Sequence, residues 1–205
     1  MWKKHPKALP FLFFSEMWER FGYYLMIGIF TLYLKDVKAG YAMTEAESAD
    51  LYGTFIALVF LTPFIGGLLA DRYLGYRKSI IMGGLMMGIG YCLMSVHNIA
   101  MLYLSMTLVI VGNGFFKPNI STLLGNVYTT PQYIKQKDDG YNIFYMGINI
   151  GAFVCNFFGA ALYIVYGWGA AFIAAGVGMF IGVAIFLIGT KHYIAFDVKK
   201  GVTEK

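Results

Sequence analysis

Charge is scarce in this 205-residue chain. Asp, Glu, Lys and Arg make up 13% of it, about half the share found in a soluble globular domain. With 59% hydrophobic residues and a mean hydropathy of +0.62, that scarcity argues against a water-soluble fold. Cysteine occurs only twice, as Cys92 and Cys155, in apolar stretches without metal-ligand spacing. Both read as small buried thiols rather than a disulfide or a metal site. The three histidines, His5, His97 and His192, have no metal spacing either, so no metal is expected. No nucleophile and base converge in the pattern, so an enzyme is not expected.

What is present is a series of long apolar runs. At about 20 residues per membrane crossing, six can be marked: 11–34, 51–70, 79–96, 100–124, 141–166 and 171–189. The basic start MWKKHPKALP is followed by a run too long for a signal peptide, so that run is expected to remain as a helix. The net charge of +5 would suggest nucleic acid in a soluble protein, but here the basic residues more naturally set membrane orientation. Lys3, Lys4, Lys7, Arg72, Arg77, Lys78, Lys135, Lys137, Lys191, Lys199, Lys200 and Lys205 fall in one set of alternate connections. Lys35 and Lys38 fall in the other, beside Asp36, Glu45, Glu47 and Asp50. The positive-inside rule then predicts both termini on the cytoplasmic side.

Four charges remain inside the spans: Glu16, Glu19, Arg20 and Lys117. Each would cost about 2.5–3.5 kcal/mol at the bilayer centre, so they are expected to face one another or a water-filled cavity. Their charges sum to zero. They sit on the first helix of each of two triplets, a layout that a 3+3 inverted-repeat transporter would show. On the first span, Glu16, Arg20 and Tyr23 share a face bordered by Glu19 and Tyr24. A structural ion-pair cluster is the alternative reading of that face. On the fourth span, Asn113 and Lys117 share a face beside Pro118, which removes a backbone donor and is expected to bend the helix. On the fifth, Asn142, Tyr145, Asn149 and Asn156 lie along one side, marking a polar interface or a solute pathway.

The turn between the second and third spans joins Gly66-Gly67 to Asp71-Arg72 and Gly75-Tyr76-Arg77-Lys78. Gly67 and Gly75 permit close backbone approach, and Asp71 can pair with Arg77 or a helix N-terminus. The turn reads as a cytoplasmic hinge or latch, with Asp71, Arg72, Gly75, Arg77 and Lys78 as gating candidates. Gly84 and Gly88 form a GxxxG pair that predicts tight helix packing.

These residues together resemble a known family. Glu16-x-x-Glu19-Arg20-Phe21 is similar to the first-helix motif of the proton-dependent oligopeptide transporters, a branch of the major facilitator superfamily. The 66–78 turn resembles the superfamily's Gly-x-x-x-Asp-Arg-x-x-Gly-x-Arg-Lys motif. Phe116-Lys117-Pro118-Asn119-Ile120 and Phe144-Tyr145-Met146-Gly147-Ile148-Asn149-Ile150-Gly151 resemble the family's fourth- and fifth-helix signatures.

The resemblance implies an all-α membrane protein in which residues 1–190 are the N-terminal six-helix bundle of a major facilitator fold. Residues 191–205 would begin the cytoplasmic linker to a C-terminal six-helix bundle. The implied function is symport of di- and tripeptides with protons by alternating access in the bacterial inner membrane, with the proton as coupling ion and no other cofactor. The implied partners are the peptide, the proton, the lipid bilayer and the second bundle, without nucleic acid. Glu16, Glu19, Arg20 and Lys117 would couple protons, Lys117 would also meet the peptide carboxylate, and Tyr23, Tyr24 and Asn149 would line the peptide site. Asn113 and Tyr145 join that site as polar neighbours. Two positions depart from the family pattern: Ile27 stands where many members carry Arg, and Phe60 where a binding-site Tyr aligns. Rival readings are a divergent member carrying another organic anion or nitrate, and a non-transporting membrane receptor or assembly module.

Overall fold

The computed structural model describes residues 2–197, and within them the chain forms six long helices joined by short turns. These are α1 (Ala8–Lys35), α2 (Glu45–Leu69), α3 (Tyr76–Met94), α4 (Ile99–Val127), α5 (Lys137–Tyr166) and α6 (Trp168–Gly189). Each begins ahead of the apolar stretch that marks it in the sequence, because the first turn of a helix carries caps and charges rather than apolar side chains. The largest difference is at α2, which starts at Glu45 rather than Leu51. A reciprocal capping box sets that start: the Glu47 backbone N–H donates to Thr44 Oγ1 at 3.3 Å and the Thr44 backbone N–H donates to Glu47 Oε2 at 2.9 Å. At α4, Asn98 Oδ1 accepts from the backbone N–H groups of Ala100 and Met101. A single residue, Gly167 at φ +81°, separates α5 from α6.

Among the described residues, four helical stretches are long and apolar enough to cross a membrane: Glu45–Leu74, Ile99–Val127, Ile134–Tyr166 and Trp168–His192. Six crossings were expected from the sequence. α1 falls short because Glu16, Glu19 and Arg20 lie within it, and α3 because its 19 residues open on Tyr76, Arg77 and Lys78. In α1 those three charged side chains are buried within the bundle.

α3 packs on α4 and α6, α1 on α5 and α6, and α2 on α4. Glycine decides how closely these helices meet. A Cβ at Gly66 would collide with the Gly114 carbonyl, so α2 lies directly on the α4 backbone there. Pro118 has no N–H for that same carbonyl, four residues back. The proline thus exposes an acceptor where the partner helix comes closest, and α4 continues through it to Val127. Gly67, expected to be the point of close approach, meets Pro118 only at an ordinary 3.6 Å. Gly84 and Gly88 do pack tightly, against Val183, Met179 and Phe180 of α6.

The two ends of the bundle are tied differently. At one, Trp168 Nε1–H donates to Asp36 Oδ2 at 2.7 Å, joining the start of α6 to the end of α1, and Tyr41 stacks on His97. At the other, the segment after α6 makes two short 3₁₀ turns, Thr190–His192 and Ile194–Phe196, and folds back. Asp197 Oδ1 accepts from the backbone N–H of Tyr76 at 2.7 Å and of Arg77 at 3.2 Å, capping α3 from 120 residues away in the chain. Asn126 Nδ2 donates to the Phe196 carbonyl, and His5 Nδ1 lies 2.7 Å from Tyr128 Oη, so the N-terminal segment joins this end. Residues 198–205, with Lys199, Lys200 and Lys205, lie outside the described residues.

Candidate functional site

α1 turns its charges inward. Glu16, Glu19 and Arg20 are 2%, 0% and 3% exposed. Arg20 donates through Nε and Nη2 to the two carboxylate oxygens of Glu19, and its Nε lies 3.4 Å from Glu16 Oε1. The fork thus holds one carboxylate in two bonds and reaches a second one turn back, the geometry that a planar guanidinium provides and an ammonium does not. Tyr23 and Tyr24 complete the surroundings, with ring centroids 4.8 and 5.9 Å from the guanidinium carbon. Gly151 of α5 makes the arrangement possible: a Cβ there would strike the Met17 carbonyl and reach the Arg20 Cβ at 3.2 Å. Any larger residue would push α5 away from the charged turn.

Lys117 of α4 is placed differently from the other three. It is half-buried, within electrostatic reach of Glu16, Glu19 and Arg20, and its Nζ sits 5.5 Å from the Phe60 ring centroid. Among the described residues it forms no ion pair. The four charges therefore resolve into a tight triad, with formal charge −1, and a fourth member poised beside it.

The remaining candidates divide by exposure. Tyr24, Phe60, Tyr145, Asn149, Asn142 and Asn156 are exposed, so α5 does turn a polar face out of the bundle. Ile27 is half-buried and packs against the core. Asn113 was expected to line the peptide site with Lys117, but it is 1% exposed and both of its amide atoms lack a hydrogen-bond partner among the described residues. Asn119 is buried as well, and its amide donates to the Phe115 carbonyl at 2.7 Å.

At the hinge, Asp71 Oδ1 accepts from Tyr76 Oη–H at 2.8 Å, and the helix N-terminus is taken by Asp197 rather than by Asp71. Gly75 adopts φ +81°, where other residues are strained, and a Cβ would meet Asp197 Oδ1 at 3.0 Å. Arg72 and Lys78 are exposed. Sequence reasoning missed Asp197, the Asp36–Trp168 bond and the part played by Gly151 in seating α5. It also missed Tyr91, buried on α3 with its ring 3.3 Å from the Cβ position of Gly22 on α1.

A helical bundle with membrane-length apolar helices and an ion triad at its centre has the character of a membrane transporter. Similarity to known proteins gives the family. The sequence profile of the POT family, PTR2, matches residues 77–205, and the chain belongs to that family of transporters. Over 186 residues it is 41% identical to dipeptide and tripeptide permease A of Citrobacter koseri, covering 90% of this chain and 36% of the permease. It is 36% identical over 190 residues to the uncharacterized transporter YclF of Bacillus subtilis, covering 91% and 38%. Among solved structures, peptide transporter POT in complex with sulfate superposes with a TM-score of 0.91 at 34% identity, over 98% of this chain and 42% of that one. A POT family transporter in complex with 5-aminolevulinic acid gives 0.92 at 28% identity, over 100% and 43%. The chain thus spans a little over a third of the length of these curated relatives.

Proposed function

We propose that this chain is the N-terminal six-helix bundle of a transporter that imports di- and tripeptides together with protons. The observation that carries the reading is the buried Glu16–Arg20–Glu19 triad with Lys117 standing beside it, in no ion pair among the described residues. Removing one member of a buried ion pair commonly costs about 3–5 kcal/mol because it strands a charge. Protonating a carboxylate removes its charge without stranding another, which makes the triad sensitive to proton binding. A proton on Glu16 or Glu19 loosens Arg20 and takes away the negative charge that attracts Lys117. Lys117, half-buried over Phe60, is then free to hold a peptide carboxylate. Tyr23 and Tyr24 on α1 and Asn149 on α5 supply hydrogen-bonding groups for the peptide backbone.

The architecture assigned to this bundle is a 3+3 inverted repeat, pairing α1 with α4, α2 with α5 and α3 with α6. The packing supports it. Under that pairing α1 on α5 corresponds to α2 on α4, and α1 on α6 to α3 on α4, and all four contacts are extensive. All six helices then cross the membrane, with α1 and α3 shielded by their neighbours. The basic N-terminal segment, the 70–75 turn, the end of α4 and the segment after α6 gather at one end. By the positive-inside rule this end is cytoplasmic, in a bacterial inner membrane. Residues 191–205 are assigned as the start of the linker to a second bundle.

The test is uptake of a labelled dipeptide by proteoliposomes of the full-length transporter under an imposed proton gradient. Accumulation that collapses on adding a protonophore is expected. Saturable uptake that ignores the gradient would overturn proton coupling, and no peptide uptake would overturn the substrate class.

A further inference from the structure

Tyr91 is the one buried hydroxyl of α3 that faces the charged face of α1. Its side chain is 0% exposed, and its Oη has no hydrogen-bond partner among the described residues. The ring packs against the α1 backbone at Gly22, where a Cβ would lie 3.3 Å from Cε2, two residues beyond Arg20. The residues within its electrostatic reach are Glu19, Arg20 and Tyr23. A buried donor left unpaired costs free energy, and such a group in a native structure needs a reason. Here the reason lies in what its neighbours are doing: Glu19 has both oxygens committed to Arg20.

We infer that Tyr91 is a positioning residue for proton coupling, holding its hydroxyl in reserve for Glu19 in the state where Arg20 has let go. In that state a bare carboxylate would sit in a low-dielectric interior, and a phenol O–H is a donor that can stabilise it without adding charge. Tyr91 thereby delays the uptake of a proton by Glu19 once a proton on Glu16 has loosened Arg20. The charged and titratable groups that bear on the exchange are Glu16, Glu19, Arg20 and Tyr23 from α1 and Lys117 from α4. α6, also packed on α3, carries none. On α3 itself, Tyr76, Arg77 and Lys78 lie at the opposite end, and Cys92 points at Gly176 of α6.

The inference rests on the proton-coupling reading above, and its test separates the two. Tyr91→Phe keeps the ring and removes only the hydroxyl, whereas Tyr91→Gln removes the ring and restores a donor. Infrared titration of the purified full-length transporter follows the carboxyl C=O band of the buried acids directly. The midpoint of the second acid to titrate is expected to rise by about 1 pH unit in Tyr91→Phe, a tenfold change in proton affinity of the size a charge-assisted hydrogen bond gives, and to return toward wild type in Tyr91→Gln. A ring that serves packing alone predicts the opposite order, with Phe at the wild-type midpoint and Gln displaced, and that result would overturn the inference. A shifted midpoint in a protein that accumulates no peptide would leave Tyr91 in place and remove the transport reading instead.

Discussion

Ile27 stands half-buried on α1, seven residues beyond Arg20, at a position where the family resemblance implies a second arginine. On the proposed reading, the site of this bundle offers a peptide carboxylate Lys117 but no guanidinium at that position. A charge-assisted hydrogen bond contributes about 1.5–3 kcal/mol, so capping a dipeptide's C-terminus as an amide is expected to cost this transporter at least about tenfold less affinity than it costs a relative with Arg there. Ile27→Arg should restore the larger penalty. Competition assays with free and amidated dipeptides on both variants decide it, and a wild type that already discriminates as strongly as the arginine-bearing relative contradicts it. At this scale much was legible in the sequence. Glu16, Glu19 and Arg20 stand out because charge inside an apolar run must be paired. Asn113 was misplaced because four-residue spacing fixes its angle about the helix but not how far the neighbouring helices cover it. Tyr91 gave no signal, since its meaning comes from a contact with a residue about seventy positions away.

Between helices, single atoms decide. Gly53 and Gly66 both belong to α2, yet a Cβ at Gly53 meets nothing within 4 Å while one at Gly66 runs into the Gly114 backbone. Gly53→Ala is expected to stabilise by about 0.5–1 kcal/mol through lost chain freedom. Gly66→Ala forces α2 off α4 and is expected to destabilise by about 1–3 kcal/mol. Thermal unfolding in detergent should separate the two in opposite directions. The sequence singled out Gly67 because it sits in the charged-turn motif, but which glycine faces the partner depends on helix rotation. The clasp of α1 to α6 was equally hidden, joining Asp36 and Trp168 across 132 positions. There the Trp168 N–H, then the Lys38 and Ala39 amides, hold the Asp36 carboxyl below the usual carboxylate range. A lowered value means that the clasp contributes its full stability above the unfolded value of about 3.9 and loses it as the pH falls through the folded one. Wild type should therefore lose thermal stability more steeply below about pH 4 than Asp36→Asn, whose clasp carries no proton-dependent charge. Parallel profiles would contradict this.

On the scale of the molecule, composition alone announced a helical membrane bundle, and the alternation of basic connections matched the way the ends of the helices gather. The number of apolar helices was less legible, because α1 and α3 carry charge where a hydropathy reading looks for its absence. Packing explains how α1 persists, since Glu16, Glu19 and Arg20 are enclosed within the bundle, whereas Arg77 and Lys78 of α3 stand in its first turn at the end of the bundle. The central claim is that the enclosed charges link proton to peptide, and it predicts a dissociation between two kinds of transport. Glu19→Gln removes the acceptor charge that holds Arg20, and Lys117→Ala removes the cation that the triad releases. Each should leave peptide exchange between the two sides of a vesicle at a measurable rate, because exchange needs no net proton movement. Each should also abolish accumulation driven by a proton gradient. The decisive measurement is therefore dipeptide uptake by the full-length variants in proteoliposomes, compared in gradient-driven and exchange modes. Exchange preserved with accumulation lost is the predicted result, and accumulation at the wild-type level in both variants would contradict the account.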